Sequence, residues 1–358
     1  MTESGLPGKR MTGRRQFLAG LAVLPFGLAG CSVAGAGGPT PTVSADPGAF
    51  PATIRHAFGE TTIAKQPVRV ATLGLGANDS CLALGVVPVA MPLSKAKPNG
   101  STPWFDLALL GFGVDVPMLL DEDKELPVAA LADLGPDVIL AVNSRLTREE
   151  YEQLSKIAPV VAYPAAPLDT DWRTSLDMVA QALGRSAKAA EVRKATEASI
   201  TDQLGNYPDL KGSSFVFAKV RSALGAAFEV FGTESNPVRI LKEFGVAAAP
   251  SMDLVQSQGT ALHPGGTGPQ TYEWPRGRAP ELAADLAVFS IVHEERAGVL
   301  GSGILNEVPP FKNNNFVLVD SADNGLALET ASPLSVQWVA KNLLPQVAQA
   351  AYGAKNPK

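Results

Sequence analysis

The sequence predicts an α/β protein in which two α/β lobes with mostly parallel sheets are joined by a long connecting helix. Short, continuously apolar strands alternate with helical segments before residue 170 and again after residue 205. This alternation is typical of parallel sheets that helices cover on both faces. Between the two halves, residues 172–205 show no strand pattern, and their alanine-rich and charged composition favours helix.

The chain begins with features of a secretory lipoprotein signal. Residues 14–15 are paired arginines, an apolar stretch covers residues 17–28, and Cys31 closes the run Leu-Ala-Gly-Cys. The stretch, at about 12 residues, is too short to cross a bilayer, which takes roughly 20. The run resembles a lipobox and the arginines resemble a twin-arginine signal, although Gly13 leaves the Sec route open. We expect cleavage before Cys31 and a lipid anchor that holds the protein on the outer face of the cytoplasmic membrane.

We divide the remaining chain by composition. Residues 31–49 contain Gly, Pro, Ala, Ser and Thr with almost no large apolar side chain, which predicts a flexible tether. An N-terminal lobe over residues 50–170, a helical connector over 171–205 and a C-terminal lobe over 206–358 follow.

The charge and cysteine content exclude several classes of protein. The formal net charge is −5, and the signal carries most of its own charge as Lys and Arg, so the mature chain is still more acidic. Nucleic-acid binding, which needs clustered basic residues, is therefore not expected. Cys81 is the single cysteine besides the predicted anchor and lies in an apolar run, which indicates a buried thiol.

The first half of the chain predicts its elements in order. A hairpin-like entry segment holds His56, and a helix starts at the polar residues 78–80. Thr147 and Glu150 have the spacing of a capping box at the start of a further helix. Strands are predicted at residues 68–73, 86–90, 137–142 and 160–163, and the other helices at 128–134 and 148–158.

The second half repeats the alternation after a connector that we expect to break near Gly184. Strands are predicted at residues 215–220, 227–231, 285–292 and 316–320, and helices at 237–244 and 333–351. The segment 265–278 is rich in Gly, Pro and polar residues and is predicted as a loop.

Several segments, taken together, are similar to the iron-siderophore and cobalamin solute-binding proteins of ABC importers, whose lobes are joined by a helix. The matching segments are residues 54–61, 66–73, 83–89, 134–140, 154–160 and 183–184, in the family's order behind a lipobox. The resemblance implies a ligand cleft between the lobes, capture of a ferric siderophore, and delivery to a membrane permease and its ATPase. It implies no catalytic activity and no cofactor apart from the cargo. Haem or a corrinoid remains an alternative ligand.

Two arginines are candidates for the cleft, because ligand-facing loops lie beyond the carboxyl ends of parallel strands. Arg145 directly follows the predicted strand 137–142, and Arg221 follows the strand 215–220 in the second lobe. A guanidinium group can donate two hydrogen bonds to paired chelate oxygens. We therefore expect a locally basic pocket that suits an anionic ferric chelate.

Four further residues are candidate ligand contacts. Asn78 ends the loop after the first strand, and Trp104 lies in a Pro- and Gly-rich loop, where it either packs the lobe or faces the ligand. Tyr272 and Trp274 lie in the predicted loop 265–278, and we expect them to line the cleft.

The resemblance also implies one exposed glutamate on each lobe that docks onto the permease. Glu273 is the candidate on the second lobe. On the first lobe the family's spacing falls on Ala129, and Glu125 lies four residues upstream. We take Glu125 as the candidate, although this displacement departs from the family pattern.

The sequence gives little support for a catalytic site or a metal-binding site. His56, His263 and His293 are scattered, without the spacing of a metal site, and no Gly-x-Ser-x-Gly elbow occurs. An exported α/β enzyme or a scaffold lipoprotein is therefore only a weaker alternative, since an α/β fold alone does not define an activity.

Overall fold

The first sheet is parallel throughout, as the continuous apolar strands predict. A computed structural model describes residues 43–123, 126–220 and 227–357; the predicted signal sequence, Cys31, Glu125 and Arg221 lie outside these ranges. The order of the strands is β5-β4-β3-β6-β7. The strands are β3 (Val70–Gly74), β4 (Ala90–Pro92), β5 (Met118–Leu120), β6 (Val138–Asn143) and β7 (Val160–Ala162). Every residue of β3 and β6 is buried, because helices cover both faces.

A hairpin and short helices complete the first half. The hairpin is β1 (Ala52–His56) with β2 (Gly59–Ile63), and the helices are α1 (Ala77–Ala83), α2 (Pro103–Leu109), α3 (Val128–Leu134) and α4 (Arg148–Leu154). The predicted capping box at the start of α4 is confirmed: the Thr147 side chain accepts from the Glu150 N–H, and the Glu150 carboxylate accepts from the Thr147 N–H. Trp104 lies in α2, not in a loop, because Pro103 occupies the first position of that helix, where proline is tolerated.

The predicted connector consists of two helices, α5 (Trp172–Leu183) and α6 (Ser186–Gly205), with the expected break at Gly184. Gly184 has a φ of +65°, and a Cβ atom there would lie 2.6 Å from the Phe50 ring. Both the left-handed backbone and this close approach require glycine at the break.

Residues 43–49, predicted as the end of a flexible tether, are packed onto the connector. The Asp46 N–H donates to the Gly184 carbonyl at 2.7 Å, and its carboxylate accepts from the Ala187 N–H at 2.9 Å. Asp46 thereby satisfies a free N–H in the first turn of α6, the role of a helix cap. Residues 43–49 therefore belong to the folded part of the chain, in contrast to the tether that composition suggested.

The second sheet is mixed, in contrast to the mostly parallel sheet that we expected. Its order is β11-β12-β9-β8-β13-β14, with β10 pairing with β8. The strands are β8 (Ser214–Val220), β9 (Ala227–Phe231), β10 (Ala247–Ala248), β11 (Thr260–Ala261), β12 (Thr271–Pro275), β13 (Leu286–Ile291) and β14 (Phe316–Val319). β8 pairs antiparallel with β9, because the short link between them cannot hold the crossover that parallel neighbours need.

Helices surround this sheet and close the chain. They are α7 (Asn236–Glu243), α8 (Pro250–Gln258), α9 (Arg296–Ser302), α10 (Pro309–Lys312), α11 (Ala322–Thr330), α12 (Pro333–Asn342) and α13 (Leu344–Lys355). The single closing helix predicted at 333–351 is divided at Leu343, because Pro345 lies in the first turn of α13 and has no N–H to continue α12.

The break between α5 and α6 gives a stability prediction. Gly184→Ala should lower the free energy of unfolding by about 1–3 kcal/mol, because alanine is strained at positive φ and its Cβ meets Phe50. Chemical denaturation measures this loss. Gly277→Ala is the matched control, since a Cβ there has open space. Equal losses in the two variants would contradict this account of the break.

Candidate functional site

Three adjoining cavities form one cleft; two of them are lined by both halves of the chain and the third by the second half alone. Leu75 lines both the first and the second cavity. Lys219 and Glu329 line both the second and the third, and Ala322 and Leu326 line both the third and the first. Their volumes are about 380, 460 and 270 Å³ respectively. We call this space the interlobe cleft. Residues 322, 326 and 329 recur at helical spacing, so one face of α11 runs along all three cavities.

The loop after β3 brings backbone to the surface of the cleft. Gly74 and Gly76 both have positive φ, and a Cβ on either would clash, with Asn143 in one case and the Thr330 carbonyl in the other. The Gly74 N–H donates to both carboxylate oxygens of Glu122 at 3.0 Å. Burial raises the pKa of Glu122 to about 7, and the bond from Gly74 opposes that rise.

Arg145 and Asn78 lie where the sequence placed them, in the lining of the interlobe cleft. Arg145 is exposed at the end of β6 and has no hydrogen-bond partner among the residues that the structure describes. The Asn78 amide donates to the Asp79 carboxylate at 3.1 Å. Arg145 is thus available to a ligand, and its binding role remains a prediction.

The charges of the cleft differ from the basic pocket that we expected. In the described part of the chain its cations are Lys95, Arg145 and Lys219, and its carboxylates are Asp79, Asp123, Glu229, Glu294 and Glu329. Lys219 Nζ lies 2.7 Å from the Glu329 carboxylate, and Lys95 pairs with Asp123. These carboxylates come from distant segments, so no local pattern predicted them. The described lining is acidic in balance.

Trp104 packs between helices and also borders the first cavity of the interlobe cleft. Its side chain is 4% exposed, and its Nε1–H donates to Asp79 Oδ2 at 2.7 Å. Its ring centroid lies 5.9 Å from that of Trp338. The structure shows packing within the lobe, and the predicted ligand contact of Trp104 stays a prediction.

Tyr272 and Trp274 lie on β12, on the sheet face away from the interlobe cleft. Their opposite residues on β9 are Val230 and Phe228, whereas the cleft-lining residues of β9 alternate with these. Trp274 is fully buried, and its Nε1–H donates to the Arg278 carbonyl at 3.0 Å. Neighbouring residues of a strand point to opposite faces, so the register of β12 with β9 turns Trp274 away from the cleft. Trp274 therefore occupies a core position and does not line the cleft as predicted.

Glu273 is exposed on β12, directly opposite Glu229. Its docking role therefore stays a prediction, as does that of Glu125, which lies outside the described ranges. His56 is buried and hydrogen-bonded to Thr61 in the hairpin, whereas His263 and His293 line the interlobe cleft.

Asp79 links the two halves beside the cleft. Its Oδ2 accepts from Trp104 Nε1 and, at 2.6 Å, from the Oγ of Ser332, the residue that caps α12. A second link lies at the start of α5, where Arg239 donates to the Asp169 carbonyl at 2.9 Å and Asn236 donates to the Thr170 carbonyl at 3.1 Å. Together these links join the two halves at two places.

Other features of the described ranges are not those of a metal centre or a membrane span. No three His, Cys, Asp or Glu side chains there converge as metal ligands. None of the helices described is both long and apolar enough to cross a bilayer. Cys81 is fully buried, as predicted, and burial raises the pKa of its thiol.

Asp79 gives a pH prediction. Burial raises the pKa of its carboxyl to about 6, partly opposed by the bonds from Ser332 and Trp104. Between about pH 4 and 6 the folded protein therefore binds this proton more tightly than the unfolded chain does, so stability should fall as pH rises through that window. Asp79→Asn should flatten this fall by about 1–3 kcal/mol in denaturation at a series of pH values.

The control for this measurement is Asp115→Asn, because Asp115 is exposed. That variant should keep the wild-type slope. An unchanged slope in Asp79→Asn would show that another group causes the pH dependence.

Comparisons with known proteins agree with this architecture. The family model described as periplasmic binding protein matches residues 70–214. YhfQ of Bacillus subtilis, named as an ABC transporter substrate-binding lipoprotein, is 26% identical over 203 residues, which are 56% of this chain. The match spans 60% of that relative's length.

Solved structures are similar over more of the chain. The iron uptake ABC transporter substrate-binding protein PiaA of Streptococcus pneumoniae TIGR4 is 28% identical, with a TM-score of 0.71 over 84% of this chain and 99% of that one. The structure of PiaA in complex with ferrichrome is 27% identical in sequence, with a TM-score of 0.74 and the same coverage of both chains. A periplasmic solute binding protein of Mycobacterium smegmatis is 26% identical in sequence, with a TM-score of 0.66 over 84% of this chain and 98% of that one. Residues 70–214 therefore match the periplasmic binding protein family, and the two-sheet fold with its cleft is similar to those of solved ABC transporter substrate-binding proteins.

Proposed function

We propose that the protein is the extracytoplasmic solute-binding component of an ABC importer, and that it captures a ferric siderophore in the interlobe cleft for delivery to a permease and its ATPase. The observation that carries this proposal is a preformed cleft in a fold that is similar to PiaA bound to ferrichrome over 84% of the chain. The largest of its cavities, at about 460 Å³, lies within the range of roughly 300–1,000 Å³ for small-molecule sites.

The links between the halves support binding with little movement. Asp79 and Ser332 join α1 to α12, and Arg239 and Asp169 join α7 to the segment before α5. Because these links and the two-helix connector oppose a large hinge motion, we propose that the ligand enters a cleft close to its final shape.

We also propose that Cys31 carries the lipid anchor and holds the protein on the outer face of the cytoplasmic membrane. The lipobox-like run before it and the lipoprotein named among the relatives support this location. Residues 32–42 would then join the anchor to the first described residue, Val43.

Binding of ferrichrome tests the proposed function. Titration should quench the tryptophan fluorescence of the mature domain, because iron chelates absorb where tryptophan emits and Trp104 borders the cleft. Arg145→Ala should weaken binding about tenfold, through loss of one charge-assisted hydrogen bond to a chelate oxygen.

Arg55→Ala is the matched control, since Arg55 is exposed on the β1–β2 hairpin and does not line the cleft. It should bind like the wild type. Binding of haem or a corrinoid, with none of any ferric siderophore, would contradict the proposed ligand.

The proposed anchor gives a separate prediction. Cys31→Ser should release the protein from the membrane fraction, because serine has no thiol for lipid attachment. Ser44→Ala, which keeps the cysteine, should leave the protein in that fraction. Fractionation and immunoblotting measure both. A Cys31→Ser protein that stays membrane-bound after signal cleavage would refute the lipid anchor.

A further inference from the structure

We propose that the interlobe cleft selects ferric chelates that carry no net negative charge, and that Glu329 determines this preference by neutralising Lys219. The inference rests on the proposed function and adds the charge class of the ligand. It comes from ion pairs inside the cleft that link segments far apart in the chain.

The pair between Lys219 and Glu329 removes the cation that the second sheet offers to a ligand. Lys219 lies near the carboxyl end of β8, and Glu329 lies in the last turn of α11. Their charged atoms are 2.7 Å apart, and the two side chains are 20% and 33% exposed. Partial burial keeps water from screening such a pair as it would at the surface. A ligand here therefore meets a neutral pair instead of a free ammonium group.

The neighbouring strand adds a carboxylate beside this pair. Glu229 on β9 lies directly opposite Lys219 on β8 and lines the same cavity. Beyond it, Glu273 on β12 lies directly opposite Glu229. Residues opposite one another on neighbouring strands project from the same sheet face. A row of one lysine and two glutamates therefore follows this face, and its balance is negative.

The lysine contributed by the first sheet also has acidic partners, although at an exposed position. Lys95 pairs with Asp123 and lies 3.6 Å from Asp121. Arg145 is then the cation of the described lining that has no hydrogen-bond partner there. Arg221 lies outside the described residues, and its single positive charge would still leave the carboxylates more numerous than the cations.

This excess of carboxylates determines how the charge of a chelate affects its affinity for the cleft. A chelate with three negative charges would face the carboxylates of Glu229 and Glu294, which are unpaired within the part of the chain that the structure describes, and like charges repel one another. An uncharged chelate escapes that repulsion and can still accept from Arg145 through its polarised oxygens. A chelate with a pendant ammonium group gains a carboxylate partner.

The test compares three ferric chelates at about pH 7.5, where carboxylates are ionised. They are ferrichrome, which is uncharged, a linear trihydroxamate with a pendant ammonium group, and a trianionic tris-catecholate. Calorimetry should show the first two binding at least about tenfold more tightly than the third. Equal or tighter binding of the tris-catecholate would overturn the charge preference and leave siderophore binding intact. Binding of none of the three would overturn both proposals.

Glu329→Gln tests the residue itself. The amide keeps the shape of the side chain but removes the charge that pairs with Lys219, so the affinity for the tris-catecholate relative to that for ferrichrome should rise about tenfold. Glu229→Gln, which removes a charge from the neighbouring strand, should shift the preference in the same direction and covers the case in which Glu329→Gln does not fold. Unchanged affinity ratios in both variants would overturn the role of these carboxylates.

Glu307→Gln is the matched control. Glu307 forms a pair with Lys312 at 2.8 Å that resembles the Lys219 pair but does not line the interlobe cleft. This variant should keep the wild-type order of affinities. A shift as large as that of Glu329→Gln would show that the overall charge of the protein, and not the cleft, sets the preference.

Discussion

The carboxylate of Asp79 joins the two halves of the chain, because it fixes the start of α12 against α1 and α2. It is buried, and one of its oxygens accepts from both Trp104 and Ser332, side chains that belong to different parts of the chain. Burial makes ionisation of this carboxyl unfavourable, and its pKa is therefore raised. Loss of the carboxylate would leave two buried donors without a partner, and each such donor costs about 1–3 kcal/mol. The position of α12 therefore depends on a group in α1.

Close backbone contacts reinforce this dependence. Gly76 lies so near the Thr330 carbonyl that a Cβ would approach it to 2.8 Å, and Gly76 immediately precedes α1. The same short stretch of chain thus lines the cleft, touches the second half and carries Asp79. A substitution there would change the shape of the cleft and the contact between halves together, because both depend on the same backbone.

The local sequence predicts many of the helices and strands of this fold. It does not predict which face of a sheet the side chains of a strand occupy. Continuous apolar runs predicted the parallel sheet, and the break at Gly184 followed from one residue type. Trp274 was misplaced because its sheet face depends on pairing with β9, and the surrounding Gly and Pro concealed the strand. Likewise, the charge of the cleft depends on Lys219 meeting Glu329, a contact between distant segments that no local pattern contains. Arg145 was placed correctly because it follows a recognisable strand.

The docking of Asp46 on the connector has a consequence for how the protein would find its permease. With Cys31 lipidated as proposed, residues 32–42 can span at most about 40 Å before the chain reaches the folded part. The break between α5 and α6 is then confined to a thin layer above the bilayer. Within that layer, diffusion is two-dimensional and the effective concentration at a permease greatly exceeds that of a free protein. With the proposed anchor, the contacts of Asp46 would thus limit the volume that the folded part explores.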